Sequence, residues 1–571
     1  MRNMSTKTAG PRSRRVSLIT GVAFGATALI TGIATAAGTA SGATQTTGAT
    51  QAARTTQNRP LKAADDTYSA TVPGTLAVPA RKGVLANDSG GDLQIVSHTA
   101  PAHGSLTLNP DGSFNYVPQA GFTGDDTFTY TATNAVHLYS THLPPLGNFG
   151  GVNITAGGYG SSLYPDPGHP GLFYGLTDRG PNVSAADGND VEPIPTFDPS
   201  IGLFKFQGGN AVLERTIPLR DGSGHPYTGL VNSQNPTGEV IEDLAGHDLA
   251  QDPDGYDSEG LVALPDGTFW VLDEYGPFIT HFSRDGRAIQ RLSPLDGSLP
   301  KELVNRVPNR GMEGLTITPD GKMLVGVMQS ALQQADLNGK NAKNVVPVRI
   351  VTYSLRTHAV HEYLYLLHDP KTTGTAVSEI TALSGSTFLV DERDGNFPGP
   401  GVFKQLWKID LSQATDVGPA STVKGATYDA AHGGLLVGGK TIEELTQGED
   451  TADAATTLTG AGITPVTETL GLDINGLLLS LDPKATFFDH DKVEGVAALN
   501  GGQQIVISND SDFGIAGVTN TAAPWQLQAK IDPATGQQDD GEYLTIDLTK
   551  VATNGTTSTS TATVTIHVTS G

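Results

Sequence analysis

One phrase of sequence returns along the middle of the chain and limits the fold more than any other feature. A Glu, an apolar strand, a turn, a second apolar strand and an acid recur in that order four times. The copies start at Ser258-Glu259-Gly260-Leu261, Met312-Glu313-Gly314-Leu315, Ser378-Glu379-Ile380 and Val493-Glu494-Gly495-Val496. A degenerate first copy starts at Gly157-Gly158-Tyr159-Gly160-Ser161-Ser162-Leu163 and ends at Asp178-Arg179-Gly180. Outer segments follow each copy, such as His281-Phe282-Ser283 and Gln405-Leu406-Trp407. Short segments with period-two alternation are strands. A small antiparallel unit cannot bury its faces alone, and radial repetition of such units makes a β-propeller. The expectation is an all-β chain with a five- to six-bladed propeller over residues 135–551. Five copies can be counted, and residues 212–219 and 470–481 are left to supply outer strands or a sixth blade.

Before the propeller, residues 63–134 carry a different alternating pattern, with turns at Asn87-Asp88 and Asn109-Pro110-Asp111-Gly112 and the pairs Phe114/Tyr116 and Phe128/Tyr130 two apart. These segments closely resemble the bacterial cadherin-like (Ig-like) repeat. That resemblance implies one more strand after the Phe-x-Tyr strand, yet the chain beyond Asn134 turns to something else. The missing pattern stands at the far end, where Ala562, Val564, Ile566 and Val568 alternate after Asn554-Gly555. The expectation is a small, discontinuous sandwich of residues 63–134 plus 555–570, since a module with close termini can be inserted in a hairpin at little loop-closure cost. A fraying Thr-rich tail is the other reading of the C-terminus.

Residues 1–36 hold five cations and no acid, then a weakly apolar run and Ala34-Thr35-Ala36. This is the pattern of a signal peptide cleaved after export. Ser13-Arg14-Arg15 resembles a twin-arginine signal, with Ser17 where that signal usually has Phe, so the export route stays open. Residues 37–62, rich in Thr, Ala, Gly and Gln, read as a linker. The expected location is secreted, with no membrane span left after cleavage. The chain has no Cys, so any metal must sit on oxygen or nitrogen ligands. Its formal charge is −24, and loss of the leader makes it more acidic still, which excludes nucleic acid as a natural partner. Gly434 to Thr441 fits a P-loop pattern, but no strand precedes it, bulky residues fill it, and an exported protein meets no ATP. No G-x-S-x-G elbow and no H-E-x-x-H helix occur.

The phrases around Asp257-Ser258-Glu259-Gly260, Asp273-Glu274-Tyr275-Gly276-Pro277, Asn309-Arg310-Gly311-Met312-Glu313, Lys492-Val493-Glu494-Gly495 and Asn509-Asp510-Ser511-Asp512 resemble the phytase-like, "esterase-like activity" propeller family. The resemblance covers most of residues 151–532 and implies a secreted hydrolase-type propeller. The first copy, with Ser161-Ser162, and the third full copy, with Ile380 after Glu379, depart from the pattern.

The repeated Glu carries its own physical argument. A carboxylate at the start of each inner strand points to the propeller axis, so Glu259, Glu313, Glu379 and Glu494 are expected to converge at one end of the channel. Like charges so placed stay ionised together only beside a cation, and hard carboxylate oxygens favour calcium. Asp273, Asp391 and Asn509 at the ends of the next strands are expected to complete the metal site. Arg179, Arg310 and Arg393 are the candidates for stabilising negative charge in a hydrolysis, with Glu313 as the fourth catalytic candidate. A purely structural ring, with each Glu capping backbone N–H groups or pairing with those arginines, is the competing reading. The acidic stretch Asp252-Pro253-Asp254-Gly255-Tyr256-Asp257 lacks EF-hand spacing and reads as a solvated turn or a second calcium site. Three functions remain open: a calcium-dependent hydrolase of phosphate or carboxylic esters, acting on a small-molecule or polymeric substrate; a non-catalytic binding or adhesion protein, touching cell surface or matrix through the sandwich; and a sugar-acid lactonase or oxidoreductase propeller.

Overall fold

In the computed structural model, residues 59–236 and 238–571 are described. The leader and nearly all of the linker lie outside them. Five four-stranded antiparallel units follow one another around an axis. Blade 1 holds Ser162–Pro165, Leu172–Leu176, Ser200–Gln207 and Asn210–Pro218. Blade 2 holds Ser258–Ala263, Phe269–Asp273, Phe278–Phe282 and Ala288–Leu292. Blade 3 holds Met312–Ile317, Met323–Met328, Pro347–Ser354 and Val360–Leu366. Blade 4 holds Ala376–Ala382, Thr387–Arg393, Lys404–Asp410 and Thr467–Asp473. Blade 5 holds Val493–Leu499, Gln504–Asn509, Glu542–Asp547 and, on its outer edge, Val136–Ser140 from the start of the module. The first strands of the five blades touch in a closed ring, blade 5 against blade 1 included.

The blade number is thereby settled at five. The two irregular stretches supply the outermost strands of blades 1 and 4, and residues 474–481 continue as a helix. The ring is closed by chain ends: Val136–Ser140 pairs antiparallel with Glu542–Asp547, Leu138 opposite Leu544. Burial of Val136, Ile505, Ile507, Leu544 and Ile546 in one cluster with the helix residues Leu477, Leu478 and Leu481 fastens that seam. Between the last two strands of blade 4, residues 411–466 form an appendage with its own apolar cluster, including Leu435, Ile442, Leu458 and Ile463.

The inner strands come unusually close, and sequence records it. A Cβ on Gly314 would lie 2.5 Å from Ile380 N and 2.7 Å from Glu379 Cα of the next blade. Real contacts of that length do not occur, so position 314 must be Gly.

The sandwich core gathers Phe114, Tyr116, Phe128, Tyr130, Val564, Ile566 and Val568. Strand Ser560–Ser570 lies in the middle of a four-stranded sheet, parallel to Asp66–Val72 on one side and antiparallel to Gly124–Thr133 on the other. Its Ala562, Val564, Ile566 and Val568 are buried while the alternating Thr residues face out.

Candidate functional site

The inner strands of blades 2 to 5 open with a break in register. Ser258 pairs with Asp273 and Gly260 with Leu272, so Glu259 is the extra residue of a bulge. Met312 and Gly314 bracket Glu313 in the same way, and a shift also falls at Glu494-Gly495. A bulge swings one side chain out of the ladder, here toward the axis. Glu259, Glu313 and Glu494 consequently line one polar cavity of about 270 Å³ at the end of the channel.

Glu379 is not among them. In blade 4 the bulged residue is Ser378, because Val377 pairs with Glu392 and Glu379 with Asp391. Glu379 therefore occupies the position of Gly314, one residue along, and a one-residue slip reverses the facing of a strand side chain. It sits among the inner strands and accepts from Ser162 Oγ at 2.6 Å, Leu315 N at 3.0 Å and Ile380 N at 2.9 Å. In blade 1 the place of the repeated Glu is taken by Ser161, which is buried.

Of the other expected ligands, none lines the cavity. Asp273 caps its own turn, accepting from Asp257 N at 2.8 Å and Gly276 N at 2.7 Å. Asp391 is buried within blade 4, where burial pushes it up to about 8. Asn509 faces the flank of blade 5, its Oδ1 accepting from Glu542 N at 2.7 Å and its Nδ2 donating to Asp540 O at 3.1 Å. The cavity is reached instead by Glu274 and Asp510, each one residue further on, and by Arg393, two residues beyond Asp391. For Glu274 and Asp510 the difference is a single step along the strand, which reverses the facing of a side chain.

Arg179, Arg310 and Arg393 all reach the cavity, but in different states. Arg179 is buried and committed: it donates to Tyr275 Oη at 2.9 Å and Asn182 Oδ1 at 3.0 Å and faces Asp190 at 3.4 Å. Arg393 pairs with Glu494 and donates to Val493 O at 3.2 Å. Arg310 is different. Among the described residues its guanidinium has no hydrogen-bond or ion-pair partner, and burial together with nearby Arg393 depresses its pKa. Lys343, which no sequence signal singles out, stands beside it, also without a partner among the described residues, and is depressed by burial and by Arg310.

The same cavity gathers a group of carboxylates, with Arg179 Nε 3.8 Å from Asp257. Asp178, Asp257 and Glu259 each offer an oxygen within 4.8 Å of the others. Burial, then Asp510 and Asp257, holds Asp178 well above the usual carboxylate range. Burial, then Asp257, Glu313 and Glu494, does the same to Glu259. Glu313 is raised by burial and by Glu274 and Glu494; one oxygen accepts from Gln329 Nε2 and Oε2 is buried with no partner. Asp257 belongs to the acidic stretch of residues 252–257: the turn stays outside, and only its last residue enters the cavity. Lys492 bridges Asp510 at 2.8 Å and Asp512 at 2.5 Å along the blade 5 wall.

A five-bladed propeller whose channel mouth is lined only by charged and amide side chains defines the class of protein. Residues 154–513, well over half of the chain, match the phytase-like family model, described as "Esterase-like activity of phytase", and the chain belongs to that family. Residues 57–142 match a bacterial Ig domain, a match that runs past the sandwich into the strand closing blade 5. An uncharacterized secreted protein of Arthroderma benhamiae is 29% identical over 310 residues, covering 42% of this chain and 60% of its own length. Among solved structures, an α-L-arabinofuranosidase from Podospora anserina aligns at 12% identity over 72% of this chain and 97% of its own, with a TM-score of 0.29. The Kuenenia stuttgartiensis hydrazine synthase aligns at 11% identity over 72% and 92%, with a TM-score of 0.24. Among the described residues no helix is long and apolar enough to cross a membrane.

Proposed function

We propose that this chain is an extracellular hydrolase that cleaves phosphate esters of small, polar molecules at the channel mouth, assisted by a divalent cation. The observation that carries the reading is the meeting in one cavity of a carboxylate trio, Asp178, Asp257 and Glu259, with two cations that have no hydrogen-bond or ion-pair partner among the described residues, Arg310 and Lys343. With no apolar residue among those lining the cavity, it offers nothing to the acyl chain of a carboxylic ester, and phosphate is favoured over that alternative. The secreted relative and the leader pattern support an extracellular place.

The carboxylate trio fits a hard cation such as calcium, because its donors are all oxygens and the buried Glu313 Oε2 beside it lacks a donor. Held by Asp178, Asp257 and Glu259, the cation supplies Lewis acidity and a lowered pKa for water. The chain's own groups do the rest. Arg310 and Lys343 take the anionic group of the substrate and gain, on binding, the partner that each lacks. Arg393, held by Glu494, adds positive charge on the same side. Glu313, whose carboxyl resists ionisation, is placed to give a proton to the leaving oxygen. The same reading treats residues 63–134 with 555–570 as one folding unit and the propeller as a second, inserted in it.

The test is a comparison of p-nitrophenyl phosphate with p-nitrophenyl butyrate as substrates for the parent and R310M. The phosphate ester is expected to be the better substrate and to lose at least tenfold in kcat/KM in R310M. Preference for the butyrate ester, or an R310M enzyme as active on phosphate as the parent, would refute it.

A further inference from the structure

On the flank of blade 5 lies a second cavity, of about 420 Å³, that shares no lining residue with the channel mouth. Its inner wall is an ion network. His490 is buried between Asp539, 2.8 Å from Nδ1, and Glu542, 3.2 Å from Nε2. Asp539 is 3.2 Å from Lys530, which also contacts Asp512 at 2.7 Å and so separates the two cavities. Every cation on this wall is committed to a carboxylate of the network.

Asp489, the residue before His490 and a lining residue of the same cavity, feels the His490 charge but makes no ion pair with it. Its side chain is 4% exposed and its Oδ2 accepts no hydrogen bond. It faces Asp532 closely enough to share a proton, and burial, then Asp532, pushes it up to about 8. Asp532 is held in place by its own turn, Oδ1 accepting from Ala534 N at 2.8 Å and Thr535 N at 3.2 Å and Oδ2 from the Thr535 hydroxyl. Among the described residues neither Asp489 nor Asp532 makes an ion pair. Two carboxylates so placed share a proton or hold a cation. The surroundings favour the cation: the cavity is open to water, the hydroxyl oxygen of Thr535 and the carboxylate of Asp540 also line it, and the chain as a whole carries −24.

We propose that Asp489 and Asp532 bind a hard divalent cation in this flanking cavity, as a site separate from the carboxylate trio at the channel mouth. The proposal does not rest on the phosphoesterase reading. Calorimetric titration of the full exported chain with calcium chloride, after chelator treatment, tests it. D489N is expected to bind one calcium fewer per chain than the parent, with E259Q as the separate probe of the channel mouth. A site lost in D489N upholds the proposal whatever E259Q does. D532N is the second variant, because an Asn Oδ1 can still accept from Ala534 N and Thr535 N and the turn survives; it is expected to lose the same site. Unchanged stoichiometry in both variants, or a parent that binds no calcium, would overturn the proposal. A D489N protein stabilised in chelator and indifferent to calcium would mean that the pair shares a proton, and would overturn it as well.

Discussion

Deleting residues 556–571 removes a strand from the middle of a sheet, not from its edge. Among the described residues, strand Ser560–Ser570 is the only neighbour of Asp66–Val72 in that sheet and one of two neighbours of Gly124–Thr133. Val564, Ile566 and Val568 are 0%, 0% and 3% exposed. At about 1.5–3 kcal/mol for each buried branched side chain, their loss alone removes roughly 5–9 kcal/mol. A small domain has only about 5–15 kcal/mol in total, and the deletion also orphans the backbone groups of both neighbouring strands. The sandwich is therefore expected to unfold, while the propeller, whose five blades do not use that strand, keeps its own cooperative transition. Limited proteolysis of the truncated chain, followed by mass mapping, reads both outcomes. Cleavage within residues 63–133 with residues 136–547 intact is expected. Unchanged resistance of residues 63–133 would refute the reasoning, and so would loss of the propeller transition in the same variant.

Three further outcomes follow from the geometry. Replacing Lys343 by Met removes a cation already depressed by burial and by Arg310; it should leave Tm unchanged or slightly higher while weakening inhibition by inorganic phosphate, and a clear fall in Tm would count against an unpaired Lys343. G314A should destabilise the propeller by about 1–3 kcal/mol, read as a lowered urea midpoint, because its Cβ would lie 2.5 Å from Ile380 N; an unchanged midpoint would mean the inner strands have slack. Burial disfavours charge on His490, but Asp539 and Glu542 outweigh it and push it up to about 10; its folded pKa lies above its unfolded one, so its contribution is fully present below pH ~6.5 and is lost as pH rises toward 10. H490Q should flatten the stability profile over that window, and a profile parallel to the parent's would reject the buried imidazolium.

How far the sequence carries the structure is clearest at the repeated Glu. The repeat gave the propeller, the blade sequence Glu259, Glu313, Glu494 and the three arginines that meet at the channel mouth. It misplaced Glu379 because Ser378-Glu379-Ile380 can be laid on Met312-Glu313-Gly314 by identity or by register, and only the bulge decides in favour of Ser378. The same parity moved the strand-end ligands from Asp273 and Asn509 to Glu274 and Asp510. Lys343 was invisible for another reason: it lies in the short turn Ala342–Asn344, far from any repeated phrase, and only folding brings it beside Arg310.

The central claim is that the carboxylate trio and the unpaired cations form one hydrolytic site. The most direct measurement is the calcium dependence of p-nitrophenyl phosphate hydrolysis by the parent and by E259Q, which keeps the size of the side chain and removes one of the trio's charges. The account predicts activity that is lost in chelator, restored by calcium in the parent, and restored in E259Q only at calcium concentrations at least tenfold higher. Chelator-resistant activity, or the same calcium midpoint in both proteins, would contradict it.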